Sequence, residues 1–470
     1  MDSAITIIGL NHEGAGIGHL QDGRVVFVPG ALPGEQVLVE VVSVKRNYAR
    51  GRLVQVVEAS LDRVLPPCPE AASCGGCDLQ HLDYRAQLHW KRRLVIDALQ
   101  RLGHLGDIRV LPVLGMANPW GYRNKVRLHV RRGRLGFYRP GSHELAPFSR
   151  CPLLAPGLLE AARTIARLLP GLPPGLQHVT LRQGLATGEL LVVLEALTEW
   201  QGDRELAEKL AGRFPELVGV VSLAGGRSRS GPKDFTGEPA ADYSGWIKTG
   251  GKEARRARYQ EGFVPGRLGG RPFTIYGRDY LEERLGDLRF QISAATFFQV
   301  NSAQAEVLYN QAAAFAGLQG GEEVLDAYCG SGAIALWLSR RAGRVTGVEV
   351  VPEAIVDARR NAILNNLANV RFRTGAAEVV LPRLAGKGYR SEVVILDPPR
   401  AGCDRRVLAA VVAMAPRRVV YVSCNPATLA RDIAYLREAG FKPGPVQPVD
   451  MFPHTHHVEC VVLMSRVENQ

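Results

Sequence analysis

The sequence predicts an α/β protein in three parts: an N-terminal β-barrel of the OB type, an α+β central domain, and a C-terminal doubly wound, Rossmann-like domain. Three observations carry this. The first sixty residues hold short β-rich runs (Ile5–Leu10, Arg24–Val28, Gln36–Val44, Tyr48–Val57) divided by Gly, Pro and Asn turns. The last 180 or so alternate apolar strands with helical stretches, which implies a mainly parallel sheet with ligands at the carboxyl ends of its strands. Between them lie a compact cysteine motif and a block of lysine and arginine. Boundaries are expected at 1–60, 61–290 and 291–470, with a Gly- and Arg-rich insertion at about 225–270.

The chain of 470 residues is 46% apolar, as ordinary globular proteins are, and carries a net charge of +12. It opens with no signal peptide and holds no apolar run long enough to span a membrane, so a cytoplasmic protein is expected. Eight cysteines are too few for a disulfide scaffold and point to metal-binding or catalytic roles. Charge is unevenly spread. Between Arg85 and Arg139 thirteen Lys or Arg face only Asp97 and Asp107, the signature of a phosphate-binding surface.

In the barrel, Lys45, Arg46, Arg50 and Arg52 surround one turn beside Tyr48, a combination that suits single-stranded nucleic acid. Cys68, Cys74 and Cys77 follow within ten residues, and Cys151, before a proline, offers a fourth thiolate. Four thiolates suit an iron–sulfur cluster or a structural zinc alike. Tyr84–Leu99 has helical periodicity. Asn124–Arg131 alternates strictly, so Lys125, Arg127, His129 and Arg131 are expected on one outward face that grips a phosphate backbone.

In the last part, Glu323–Leu336 reads as strand, glycine turn and helix, and Arg344–Glu349 as a second strand ending in an acid. An acid about twenty residues after a glycine turn resembles a ribose site. Too few glycines for a dinucleotide, and no Gly-Lys-Ser/Thr, point to S-adenosylmethionine. Three more strand ends present Asp397, in Asp-Pro-Pro-Arg400, Cys424, in Ser-Cys-Asn-Pro426, and Glu459. A methyl donor beside a strand-end thiol fits one problem: pyrimidine C5 is a poor nucleophile until a thiolate adds to C6. Cys424 would be that nucleophile, and Glu459 the base that removes the C5 proton.

Nearly the whole chain resembles the RNA uracil-C5 methyltransferase family, in its TRAM-domain, iron–sulfur branch that makes 5-methyluridine in 23S ribosomal RNA. Ser423–Pro426 and His456–Glu459 match the nucleophile and base motifs. Phe298–Asn301, Tyr328–Gly332, Glu349 and Asp397–Arg400 match the cofactor motifs. The resemblance implies S-adenosylmethionine contacts from Gln299, Tyr328, Gly330, Gly332, Glu349 and Asp397, and [4Fe–4S] ligation by Cys68, Cys74, Cys77 and Cys151. It implies a TRAM barrel over residues 1–60 and 23S ribosomal RNA as the partner. Because a base inside a helix cannot reach Cys424, a loop uridine flipped into the crevice is expected, with Phe298 as a stacking wall, and a monomer is the default. Ala333 and Ala376 stand where the family often has Asn and a polar residue. The alternatives are the same chemistry on transfer RNA, or an amino-directed methyltransferase that needs no thiol.

Overall fold

The computed structural model describes residues 3–146, 148–224 and 272–467. The expected 225–270 insertion lies outside the described residues. The first sheet is built from β1 (Ser3–Thr6), β2 (Gly9–Leu10), β3 (Gly16–His19), β4 (Val25–Val28), β5 (Gln36–Val44) and β6 (Tyr48–Glu58), in the order β1-β5-β6-β4-β3-β2. Period-two alternation turns Ile5, Val26, Val28, Val37 and Val39 into its own small core. The sheet curls because glycine lets its ends meet: a Cβ on Gly18 would fall 2.4 Å from the Ile5 side chain. Strand β3 was not expected from the sequence, since a run of Gly16-Ile-Gly-His19 has no β-branched alternation.

Helix α1 (Tyr84–Leu102) begins where Asp83 accepts from Arg85 N at 2.9 Å. Beyond it come β7 (Lys125–Arg131), β8 (Arg134–Gly136), α2 (Pro156–Leu168), β9 (Leu176–Gln183), β10 (Leu190–Ala196), α3 (Asp203–Ala211), β11 (Leu217–Ala224) and β12 (Pro272–Gly277). The strands make a second sheet, β12-β11-β10-β9-β7-β8, antiparallel except for β10 beside β11. One face packs against α2 and α3. The other meets a hairpin of β13 (Tyr280–Leu285) and β14 (Leu288–Ser293) and the segment that follows it.

The third sheet holds β15 (Glu323–Asp326), β16 (Arg344–Glu349), β17 (Val370–Thr374), β18 (Val393–Leu396), β19 (Arg418–Ser423), β20 (Phe441–Val449) and β21 (Glu459–Arg466), in the order β17-β16-β15-β18-β19-β21-β20. The first five in that order run parallel and β21 runs antiparallel. Near-continuous apolar strands such as Val393–Leu396, buried throughout, are what a sheet covered on both faces requires. The covers are α4 (Ser302–Ala316), α5 (Ala333–Ser339), α6 (Pro352–Leu364), α7 (Ala377–Gly386), α8 (Arg405–Met414) and α9 (Pro426–Glu438). Central and C-terminal parts are packed together: α1 lies on α9, and the stretch after it bridges to β20 at Val110↔Val446 and Leu114↔Val449.

Strand β7 forms as expected, and Arg127 and Arg131 on its polar face are exposed, but the row is not outward throughout. Lys125 is only 8% exposed, Arg127 is ion-paired with Glu195, and the His129 ring stacks on Tyr138 with centroids 3.7 Å apart. The reason is tertiary. That face meets the Thr296–Val300 segment, with Asn124 N donating to Val300 O at 2.8 Å.

Candidate active site

The parallel sheet brings the expected acids and the thiol to one rim. Leu396 pairs with Tyr421, and Asp326 with Ile395, so Asp326, Asp397 and Cys424 leave neighbouring strands at their carboxyl ends. Strand β21 returns antiparallel beside β19, with Ser423 opposite Cys460 as the last rung of that ladder. Cys424 follows β19 in a bend, and Glu459 opens β21 just before Cys460, paired with Val449 on its other side.

Each side chain is held by local chemistry. Asn425 caps α9 by accepting from Ala427 N at 3.0 Å and donates to Arg400 O at 3.0 Å, which ties the thiol's turn to the Asp397–Arg400 turn. Pro426 takes the first helical turn, where its missing N–H costs nothing. Cys424 is half-buried and Glu459 is 6% exposed. Glu349 accepts from Gly330 N at 3.1 Å and Val351 N at 2.8 Å, which locks the glycine turn to the end of β16. Gly332 sits at φ 86°, and a Cβ there would lie 3.0 Å from the Phe372 ring.

Tyr309, on α4, is the hub of the arrangement. Its buried hydroxyl hydrogen-bonds with Gln299, and it is pushed up by burial and then by the charges of Asp397, Asp326 and Glu459. Tyr328 packs against the cluster that includes Leu325, Val348 and Leu396, with its hydroxyl turned to Cys403. Asp326 was missed by sequence reasoning, although a strand-final acid before Cys-Gly-Ser-Gly was there to be seen. It is fully buried, and neither carboxylate oxygen has a hydrogen-bond partner among the described residues. Burial, and Asp397 nearby, push it up to about 8, and burial pushes Asp397 up to about 7. Buried carboxylates left in this state suit a cationic, hydrogen-bonding ligand.

The loop that delivers Glu459 is gripped from the central part. Lys91 and Asp450, both fully buried, are 2.5 Å apart, and Tyr84 donates to the other Asp450 oxygen at 2.8 Å. Gln87 donates to Leu79 O and Leu82 O and accepts from His454 N at 3.0 Å. Asp78 meets the His456 ring at 2.7 Å.

Cys68, Cys74, Cys77 and Cys151 line a single cavity with Arg123 and Phe148. Burial raises all four thiols, Cys74 to about 11, and the charge of Cys151 adds to the rise of the other three. Gln80 donates to Cys77 Sγ at 3.1 Å. Among the described residues no three His, Cys, Asp or Glu side chains converge closely enough to hold one metal ion.

Residues 266–467 match the sequence model of the tRNA (uracil-5-)-methyltransferase family, and residues 4–54 match that of the TRAM domain. An RNA methyltransferase of Bacillus cereus is 42% identical over 474 residues, spanning 98% of this chain and 95% of its own length. The chain belongs to the RNA uracil-5-methyltransferase family. An RNA methyltransferase of Halalkalibacterium halodurans is 41% identical, across 98% of this methyltransferase and 96% of its own chain. The crystal structure of a Pyrococcus abyssi tRNA (uracil-54, C5)-methyltransferase in complex with S-adenosyl-L-homocysteine shares the fold, with a TM-score of 0.72 at 24% identity over 98% of this chain and all of that one. Among the described residues of the methyltransferase, no helix is long and apolar enough to cross a membrane.

Proposed function

We propose that this methyltransferase moves a methyl group from S-adenosylmethionine to C5 of a uridine in 23S ribosomal RNA, with Cys424 as nucleophile and Glu459 as base. The observation that carries the reading is that Cys424 and Glu459 directly follow and precede the paired residues Ser423 and Cys460, at the carboxyl end of β19, where ligands of such sheets bind. S-adenosylmethionine supplies an electrophilic methyl group. Cys424, as thiolate, forms a bond to C6 of the flipped uracil, and electron density at C5 then attacks the methyl carbon as the methyl–sulfur bond breaks, its electron pair staying on sulfur to leave S-adenosylhomocysteine. Glu459 takes the C5 proton, the C5–C6 double bond re-forms, and Cys424 leaves as thiolate. Glu459 is buried and its loop fixed, which keeps the base within reach and water out.

The donor's cationic end is matched by Asp326 and Asp397, its ribose by Glu349, and its approach by the Gly330–Gly332 turn, with Gln299 and Tyr328 flanking. The cavity lined by Cys68, Cys74, Cys77 and Cys151 fits a [4Fe–4S] cluster.

The test is incubation with unmodified 23S RNA, a transfer RNA control and labelled S-adenosylmethionine, followed by nucleoside analysis. Label in 5-methyluridine from 23S RNA, abolished by Cys424→Ala, is expected. Label from transfer RNA alone moves the substrate, and an amino-methylated base made by Cys424→Ala overturns the covalent route.

A further inference from the structure

The loop that delivers Glu459 turns at a strained residue. His454 sits at φ 66°, in the left-handed region that residues with a Cβ rarely enter, and such a backbone persists only where its surroundings over-determine it. Here they do. The His454 amide donates to Gln87 Oε1 at 3.0 Å, and its carbonyl accepts from Asp78 N at 3.1 Å and Leu79 N at 3.0 Å. Its ring is stacked on Trp120, with centroids 3.7 Å apart and planes 17° from parallel, and the Tyr84 ring stands 5.9 Å away. All five partners belong to the central part of the chain.

The residues between His454 and Glu459 pass that position on. Thr455 Oγ1 donates to Phe452 O at 2.8 Å and accepts from His457 N at 3.3 Å. The His456 ring meets Asp78 at 2.7 Å, and the His457 ring lies 3.0 Å from an Arg400 Nη. Arg400 O in turn accepts from Asn425, so the loop is tied to the turn that carries Cys424. Val458 is buried in the core, and Glu459 enters β21 opposite Val449. The chain is pinned from the His454 clamp to the carboxylate.

The two halves of the reaction do not need this equally. Addition of Cys424 to C6 and capture of the methyl group by C5 require no base at C5. Loss of the C5 proton does: its electron pair re-forms the C5–C6 double bond, the C6–sulfur pair returns to Cys424, and Glu459 must stand within hydrogen-bond reach. A misplacement of about 1 Å at such a step can cost about a hundredfold in rate. We propose that His454 is a positioning residue for Glu459: held by Trp120 and by the Asp78 and Leu79 amides, it sets the lifetime of the covalent adduct and not the rate at which the adduct forms. This role rests on the reading of Cys424 as nucleophile and Glu459 as base.

The probes are transcripts of 23S RNA and of transfer RNA, each made with uridine or with 5-fluorouridine, whose C5 fluorine leaves no proton to remove, so that its adduct persists whatever the base does. Wild type, His454→Gly, Trp120→Leu and Trp120→Phe are compared with S-adenosylmethionine present. Glycine suits the left-handed backbone at 454, so that variant removes the ring without straining the turn. All four proteins are expected to form the fluorinated adduct at rates within a few-fold of one another. On ordinary RNA, His454→Gly and Trp120→Leu should lose at least about tenfold in kcat, with a methylated protein–RNA band accumulating on a denaturing gel. Their kcat/KM should stay within a few-fold of wild type, because methyl transfer has already committed the substrate. Trp120→Phe, which keeps a ring for the stack, should turn over like wild type. Undiminished kcat in both His454→Gly and Trp120→Leu, or a loss of the fluorinated adduct in step with turnover, would overturn the proposal. Wild-type protein that forms no adduct with either fluorinated transcript would instead remove the covalent reading, and this role with it.

Discussion

Asp326 illustrates how a site residue is set apart from a core residue. Among the described residues its carboxylate oxygens have no hydrogen-bond partner, and burial pushes it up to about 8 from the ordinary 3.8, so the folded ligand-free protein holds a proton there that the unfolded chain releases. Between those two values the folded state binds more protons, and stability falls as pH rises. Asp326→Asn should therefore melt above wild type at pH 8 without ligand, and the gap should close towards pH 4. The same variant should bind S-adenosylmethionine at least tenfold more weakly, as titration calorimetry would measure; a variant equal to wild type in both would make Asp326 an ordinary buried acid. Cys403, by contrast, is a buried thiol pushed up to about 12 and wedged among Tyr328, Tyr421 and Asp432, which marks it as packing. The sequence already sets Cys424 and Asp397 apart, since each stands at a strand end in a proline turn, Ser-Cys-Asn-Pro426 and Asp-Pro-Pro-Arg400, whereas Cys403 has no such setting.

Among the elements, α1 acts across the boundary between parts of the chain. Its buried face carries Gln87 and Lys91, polar residues that periodicity alone assigns to solvent, and both reach the loop before β21. Lys91→Met would strand Asp450 as a buried, unpaired charge and should cost about 3–5 kcal/mol. In a chain of several domains this reads as a drop in melting temperature, and Lys91→Met/Asp450→Asn should recover most of it; no drop in the single variant would show that the ion pair is not buried as described. The parallel strands, their helices and the glycine turn were legible because period and turn chemistry are local. The curl strand Gly16–His19 and the covered face of β7 were not, because a glycine-rich strand and a buried lysine are decided by what packs on them.

At the level of the whole molecule, the four-cysteine cavity and the candidate base are one assembly. Asp78 follows Cys77, and the amides of Asp78 and Leu79 both donate to His454 O. Under the cluster reading, Cys77→Ser should lose iron and visible absorbance after anaerobic purification and should melt earlier; full retention of iron would remove Cys77 from the ligand set. The central claim concerns Cys424 and Glu459 acting together, and one measurement reaches it directly. Glu459→Gln is incubated with substrate RNA and S-adenosylmethionine and run on a denaturing gel, beside Cys424→Ala/Glu459→Gln. The account predicts a covalent protein–RNA band in the single variant, carrying the transferred methyl, and none in the double. Multiple turnovers by Glu459→Gln, or an adduct that survives the loss of Cys424, would contradict it.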